Sequence, residues 1–227
     1  MKGIILAGGS GTRLHPITFA ISKQVMPVYD KPMIYYPLAT LMEAGVREIL
    51  VITNPENLRL YARVLSAAAA WGVNIRLIQQ DQPKGLAQAI TIGADEGFFL
   101  GPGRVFLILG DNLFHGGNIA NQLKQANYLS TGAAVFMTPV RDPQRYGVAK
   151  FGENGELLEI LEKPTTPPSP WAVTGVYSYD CEAPALVRCQ RLSPRGELEI
   201  TDLNNSYLAQ GKLTAYKLGG ETAWLDT

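Results

Sequence analysis

Residues 2–14 read Lys2-Gly3-Ile4-Ile5-Leu6-Ala7-Gly8-Gly9-Ser10-Gly11-Thr12-Arg13-Leu14. The apolar run 4–7 stops abruptly at glycines, and a cation follows. A short apolar run bounded by glycines reads as a buried strand feeding a tight loop. Glycines let the backbone take positive φ and let a ligand approach with no Cβ in between. Successive backbone N–H groups in such a loop make an anion-binding concavity, and the forked guanidinium of Arg13 suits phosphate. The stretch therefore reads as a loop for nucleotide phosphates. It is not a P-loop, which needs Gly-Lys-Ser/Thr where Arg13-Leu14 stand. It is not the dinucleotide fingerprint either. Counted from Gly9 and Gly11, the third glycine is Leu14, and the next predicted strand ends in Thr53-Asn54 with no acid for a ribose.

Outward from the loop, the pattern predicts strictly alternating elements. Asp30 is placed to cap a helix whose first turn holds Pro32 and which runs to about Glu43 before Gly45. A strand follows at 49–53, a helix from Pro55 to about Ala70, a strand at 73–79, a helix at 84–96 and a strand at 104–109. Such alternation argues for a parallel sheet with helices on both faces, with ligands bound beyond the carboxyl ends of the strands. Residues 8–13, Gln79-Gln80 and Gly110-Asp111-Asn112 all follow strand ends, so they are expected on one rim. The second half is less regular. It reads as a helix at 119–129, β segments at 133–140, 146–151, 157–161 and 173–179, helices near 184–189 and 200–210, and a last β segment at 214–218. No internal repeat or linker divides the chain, and the irregular half reads as an extension of the same sheet.

The 227 residues are 46% hydrophobic, enough for one large domain with its own core. Lys+Arg and Asp+Glu are 20 each, so no global charge attracts nucleic acid or a membrane, and any polyanion site must be a local cluster. Cys181 and Cys189 lie on one short predicted helix with no metal spacing around them, as reduced thiols of a cytoplasmic protein would. No signal peptide and no bilayer-length apolar segment is visible.

Taken in order, the motifs resemble the sugar-phosphate nucleotidyltransferases along the whole chain. They are residues 3–14, Ser22-Lys23-Gln24, Tyr29 to Pro37, Gly85-Leu86-Ala87-Gln88-Ala89, Leu109-Gly110-Asp111-Asn112, and Asp142-Pro143 with Arg145-Tyr146-Gly147-Val148. Glu162-Lys163-Pro164, Ala172-Val173-Thr174-Gly175, residues 195–202 and Trp224-Leu225-Asp226-Thr227 complete the series. Two departures stand out. Lys84 occupies a position where relatives often carry Asp, and the family continues past the final Asp-Thr with a glycine and further helices, which are expected to be absent from this chain.

The resemblance implies a Rossmann-like three-layer α/β sandwich with a mostly parallel central sheet and an inserted sugar-binding β subregion. It implies one domain over 1–227, with a nucleotide-binding half of about 1–115 and a sugar-phosphate-binding half of about 116–227. The implied reaction is Mg²⁺-dependent thymidylyl transfer from dTTP to glucose 1-phosphate, giving dTDP-glucose and pyrophosphate, the first step of dTDP-rhamnose-type deoxysugar synthesis. Two polyanions must then be held together, and like charges ~4 Å apart repel by about 1 kcal/mol per pair even in water. Cations and a metal are therefore required. By the same resemblance Arg13, Lys23, Lys163 and Arg195 are the catalytic cations. Gly8, Gly9, Ser10, Gly11, Thr12, Arg13, Gln24, Gln80, Gly85 and Asp111 bind the nucleotide. Leu109, Asn112, Tyr146, Gly147, Glu162, Lys163, Val173, Thr174, Gly175, Arg195 and Trp224 bind the sugar phosphate, and Asp111 with Asp226 holds the metal. A homotetramer is the family's usual assembly. Two other readings stay open: a uridylyl- or other nucleotidyltransferase on the same scaffold, and a short nucleotide-binding module with impaired activity. Taken singly, the residues have bland readings too: Asp111 as a helix cap, Lys163 as a solvated charge, Trp224 as core.

Overall fold

Consecutive residues of β1 (Lys2–Leu6) face opposite sides of the sheet, and both sides are dry, because Ile4 and Ile5 are each fully buried. The computed structural model describes residues 1–9 and 11–227, and the Arg13 side chain falls outside the description. The roles expected of Ser10 and of the Arg13 guanidinium thus lie outside the described residues. Along the chain follow β2 (Pro27–Val28), β3 (Lys31–Pro32), α1 (Tyr35–Glu43), β4 (Glu48–Thr53), α2 (Leu58–Val64), β5 (Asn74–Gln79), α3 (Gln88–Asp95), β6 (Val105–Leu109) and β7 (Asn112–His115). Then come α4 (Ile119–Asn127), β8 (Ala133–Pro139), β9 (Gly147–Phe151), β10 (Leu157–Glu162), β11 (Trp171–Tyr179), α5 (Ala183–Arg188), α6 (Ile200–Ala209), β12 (Leu213–Lys217) and β13 (Ala223–Asp226).

Among the described residues, nine strands share one sheet. The run β5-β4-β1-β6 is parallel throughout. Strand β11 then joins β6 antiparallel. One edge of β11 carries β8, which pairs with β12 in parallel. The other edge is shared: β6 covers residues 176–179, and β9, with β10 outside it, bridges at Ala172. A notch opens on that edge at residues 173–175, where β6 has ended and β9 diverges. The chain adds β4 and β5 on one side of β1 and then returns to add β6 on the other, so the loops after β1 and β6 flank a topological switch point.

Helices cover both faces, which makes the three layers. On one face Ile5, Val51, Phe106 and Ile108 pack with Leu38 and Leu41 of α1, Tyr61 of α2 and Leu123 of α4. On the other, Ile4, Leu50, Ile52 and Leu107 pack with Ile90 of α3, Val187 of α5, and Leu203 and Tyr207 of α6. Each such side chain contributes about 1.5–3 kcal/mol on full burial.

Several elements differ from expectation: α2 covers only Leu58–Val64 of the helix expected from Pro55 to about Ala70, and β7 stands where no strand is expected. The Asp30 cap is absent: residues 27–32 form the β2–β3 hairpin, Tyr29 sits at its tip with φ 58°, and α1 begins only at Tyr35. Asp30 instead meets its neighbour Lys31 at 2.6 Å, and Met33 and Ile34 donate their N–H groups to Met26 and Gln24, not to a helical turn. Helix α3 starts at Gln88 and not at 84, because residues 84–87 run beside Leu198. The Leu198 N–H donates to the Lys84 carbonyl at 2.6 Å, and the Ala87 N–H donates to the Leu198 carbonyl. Gly85 has φ 102° there, and a Cβ would stand 2.4 Å from the Leu198 oxygen, so this crossing requires glycine. Finally, Cys181 and Cys189 flank α5 and do not lie within it; both are exposed free thiols.

Candidate active site

The notch opens into a cavity of about 430 Å³ at the carboxyl ends of the parallel strands. Its walls take residues from loops after β1, β5 and β6, from β10, β11, β13 and α6, and from the 84–87 crossing. Of the residues expected to act, Gly8, Gly9, Gln24, Gln80, Gly85, Leu109, Asp111, Asn112, Tyr146, Gly147, Glu162, Lys163, Val173, Gly175, Trp224 and Asp226 line it. Lys23 reaches it through Asp111. Gly11 and Thr12 sit outside the lining.

Beside the glycine loop, two buried glutamines are held with opposite polarity. The Gln24 carbonyl Oε1 accepts from Ser22 Oγ at 2.9 Å and from the Tyr61 hydroxyl at 3.2 Å, which leaves its amide Nε2 beside Gly9. Burial pushes the Tyr61 phenol up to about 12, so it stays protonated as a donor. Gln80 is reversed: its Nε2 donates to Gln88 Oε1 at 2.7 Å, and its own Oε1 faces Gly8. One amide thus offers N–H and the other C=O to the same space.

Next to them two carboxylates are joined through one amide. Asn112 is fully buried, and its Nδ2 donates to Asp111 Oδ1 at 3.3 Å and to Asp226 Oδ1 at 3.2 Å. Its Oδ1 accepts from the Gly175 N–H at 3.0 Å and from Trp224 Nε1 at 2.6 Å. The remaining Asp111 oxygen, Oδ2, is held by Lys23 Nζ at 2.9 Å. The antiparallel pairing of β13 with β7, which sets Asp226 opposite Asn112, brings these acids together. The Thr227 N–H and hydroxyl also donate to the Asp111 carbonyl. Two facing carboxylates beside a cavity, one already holding an ammonium, match the oxygen donor set of a Mg²⁺ site completed by phosphates and water. No wider acidic or histidine cluster exists among the described residues.

The third group surrounds Glu162, at the end of β10. Its Oε2 accepts from Thr201 Oγ1 at 2.6 Å, and its Oε1 lies 3.6 Å from Lys163 Nζ and 3.5 Å from Arg195. Lys163 takes φ 43°, a strained setting for a lysine, with its N–H bonded to the Tyr146 carbonyl. Arg195 stands at the rim, outside the lining, bound to Glu199 at 2.8 Å and Glu197 at 3.3 Å. The hydrogen bond to Glu199 raises the guanidinium further above its ordinary value.

Thr174 is not brought to the cavity. It is fully buried, and its hydroxyl donates to the Phe136 carbonyl across the irregularity between β11 and β8. Strand alternation explains this: Val173, Gly175 and Tyr177 face the cavity, so Thr174 faces away. The same alternation is the signal by which Tyr177 could have been found. Burial, then the charges of Glu162 and Asp226, raise its phenol well above the ordinary range, so it stands there as a neutral hydroxyl. Sequence reasoning also missed Ile200, Thr201 and Asn204, one face of α6, and Arg145, whose guanidinium lies 5.5 Å from the Tyr146 ring. Tyr146 in turn packs on Trp224 with ring centres 5.0 Å apart, which makes the outer wall.

The sequence profile described as Nucleotidyl transferase matches residues 2–227. The chain belongs to the nucleotidyl transferase family. Within it, the chain is 54% identical over 226 residues to a glucose-1-phosphate thymidylyltransferase of Xanthomonas campestris pv. campestris, covering 100% of this chain and 76% of the relative. It is 52% identical over 227 residues to the Mycobacterium tuberculosis protein of the same name, covering 77% of that relative. A Bacillus anthracis structure described as a glucose-1-phosphate thymidylyltransferase in complex with a sucrose superposes with a TM-score of 0.90 at 39% identity, covering 100% of this chain and 89% of the other. A UDP-glucose pyrophosphorylase complexed with UDP-glucose superposes with a TM-score of 0.82 at 25% identity, covering 97% and 91%. The cavity thus brings an amide pair, two carboxylates and the Lys163 ammonium around one space.

Proposed function

We propose that this nucleotidyltransferase moves a thymidylyl group from dTTP to glucose 1-phosphate, forming dTDP-glucose and releasing pyrophosphate. The observation that carries the reading is the placement, around one cavity, of an amide N–H and an amide C=O beside the glycine loop and of two carboxylates with their cations next to them. A keto pyrimidine presents carbonyl oxygens and an N3–H on one edge, so Gln24 donates to it and Gln80 accepts from it. Cytosine, with an acceptor at N3, is excluded. The glycine loop holds the triphosphate, and Lys23 supports its pyrophosphate end.

Lys163 and Arg195 position the sugar phosphate, and Glu162, with Gly147 and the Val173–Gly175 edge, meets sugar hydroxyls. An oxygen of the sugar phosphate attacks the α-phosphorus, the bond to the bridging oxygen breaks, and pyrophosphate leaves with that electron pair. Asp111 and Asp226 would hold a Mg²⁺, which would supply charge neutralisation for the phosphates. The residues' share is positioning and electrostatic stabilisation. We take residues 1–227 as one domain, with a nucleotide half of about 1–115 and a sugar-phosphate half of about 116–227. The family resemblance supports a cytoplasmic homotetramer and entry into dTDP-rhamnose-type synthesis.

Pyrophosphate release from dTTP and glucose 1-phosphate, with and without Mg²⁺, tests the reading. Asp111→Asn should lower turnover by about 10²-fold or more; normal turnover by that variant would remove Asp111 from the metal site. The likeness to a UDP-glucose pyrophosphorylase favours a second reading, uridylyl transfer. Uracil and thymine present the same edge to Gln24 and Gln80, so that pair does not separate them. Competition between dTTP and UTP does, and preference for UTP selects the second reading.

A further inference from the structure

Both oxygens of Asp111 are engaged within the protein: Oδ1 by the Asn112 amide, and Oδ2 by the Lys23 ammonium at 2.9 Å. The Lys23 side chain is 7% exposed, and its Nζ also donates to the Thr227 carbonyl, so the ammonium is clamped at the carboxylate. Asn112 is bonded on all sides and holds Oδ1 in place. Oδ2 is then the Asp111 oxygen that a metal would take, and the lysine covers it. Lys23 also lies directly under the glycine loop, because a Cβ on Gly11 would stand 3.2 Å from the Lys23 Cβ. An anion in that loop is therefore a neighbour of the lysine.

We propose that Lys23 is an exchangeable counter-ion that keeps the metal position of Asp111 closed until a triphosphate draws the ammonium away. The inference rests on the reading of Asp111 and Asp226 as metal ligands. Metal and lysine compete for Oδ2. The triphosphate offers Lys23 a richer anion, and its departure opens Asp111. Metal and nucleotide then favour each other's binding, and by linkage the coupling is mutual. The free protein binds a divalent cation weakly, and the metal enters with the nucleotide.

Mn²⁺ binding to the nucleotide-free full chain, followed by the electron paramagnetic resonance of unbound Mn²⁺, tests the exchange. Lys23→Met and Lys23→Gln, the latter keeping a donor for the Thr227 carbonyl, should each bind Mn²⁺ about tenfold tighter than the parent protein, equivalent to about 1.4 kcal/mol. Lys163→Met removes a positive charge from the same cavity but from a lysine paired with Glu162; it should change the affinity less than about twofold if the exchange, and not the general field, is responsible. Adding Asp111→Asn should abolish the gain. If neither Lys23 variant binds tighter while Asp111→Asn still loses Mn²⁺, the exchange is wrong and the metal assignment stands. An equal gain from Lys163→Met also overturns the exchange. If Asp111→Asn leaves Mn²⁺ binding untouched in every background, the metal assignment itself fails. Circular dichroism melting of each variant identifies any loss of fold.

Discussion

Asn112 uses its whole amide inside the protein, donating to two carboxylates and accepting from a backbone N–H and an indole. It lines the cavity where a sugar-phosphate contact is expected of it, and it also fixes how the two acids are held. Gly175 makes this possible, since a Cβ there would lie 2.4 Å from Asn112 Oδ1 and 2.6 Å from its Cγ. The Asn112 side chain is bonded on every side and has nowhere to move. Gly175→Ala should therefore cost about 1–3 kcal/mol of stability through overpacking and lower pyrophosphate release as the carboxylates shift. Urea denaturation measures the first, and an unchanged midpoint would show that the amide tolerates displacement.

Among the elements, β11 and the 193–201 segment show how local pattern meets tertiary context. Alternation along β11 selects Val173, Gly175 and Tyr177 for the cavity and turns Thr174 to a backbone carbonyl. Period-two reasoning applied to that strand reaches this result without coordinates. The segment before α6 is different, because Arg195, expected as a catalytic cation, is tied there to Glu197 and Glu199. Burial alone would raise the Glu199 carboxyl, but hydrogen bonds from Arg195 and Ser193 outweigh it and hold the group below the ordinary carboxylate range. A lowered folded value adds stability above the unfolded pKa and loses it as pH falls through the folded one. Glu199→Gln should thus cost about 1 kcal/mol near neutral pH, a small figure because Arg195 is partly exposed. The penalty should fade in acid below the ordinary carboxylate range. Melting curves of both proteins across pH check it; a penalty independent of pH would assign it to packing.

At the scale of the whole molecule, β11 joins what the sequence presents as two unlike halves. Its ladder with β6 is buried on both faces, and its other neighbours belong to the second half. Both cores draw on strands from each half, with Phe106 and Phe136 in one and Leu107 and Tyr177 in the other. Such a sheet should open as a unit. The tryptophans report on both parts, Trp71 on the first and Trp171 and Trp224 on the second. Urea unfolding followed by tryptophan fluorescence and by far-ultraviolet circular dichroism is expected to give one shared midpoint. Separate midpoints would divide the chain into two folding units.

The sequence by itself determined the alternation of strands and helices, the glycine loop after the first strand and the rim where loops converge. Those follow from periodicity and from backbone chemistry within a few residues. Helix starts at 30–34 and 84–87 were not legible, because distant or competing partners, Leu198 among them, outbid local capping. Only the tertiary structure decided that Asp226 faces Asn112, a contact between residues 114 apart, and that Lys23 closes on Asp111. Pairing of β13 with β7 is a register choice between short apolar strands, and register is set by the surfaces both strands must bury. Those surfaces exist only once the sheet and its helices have assembled.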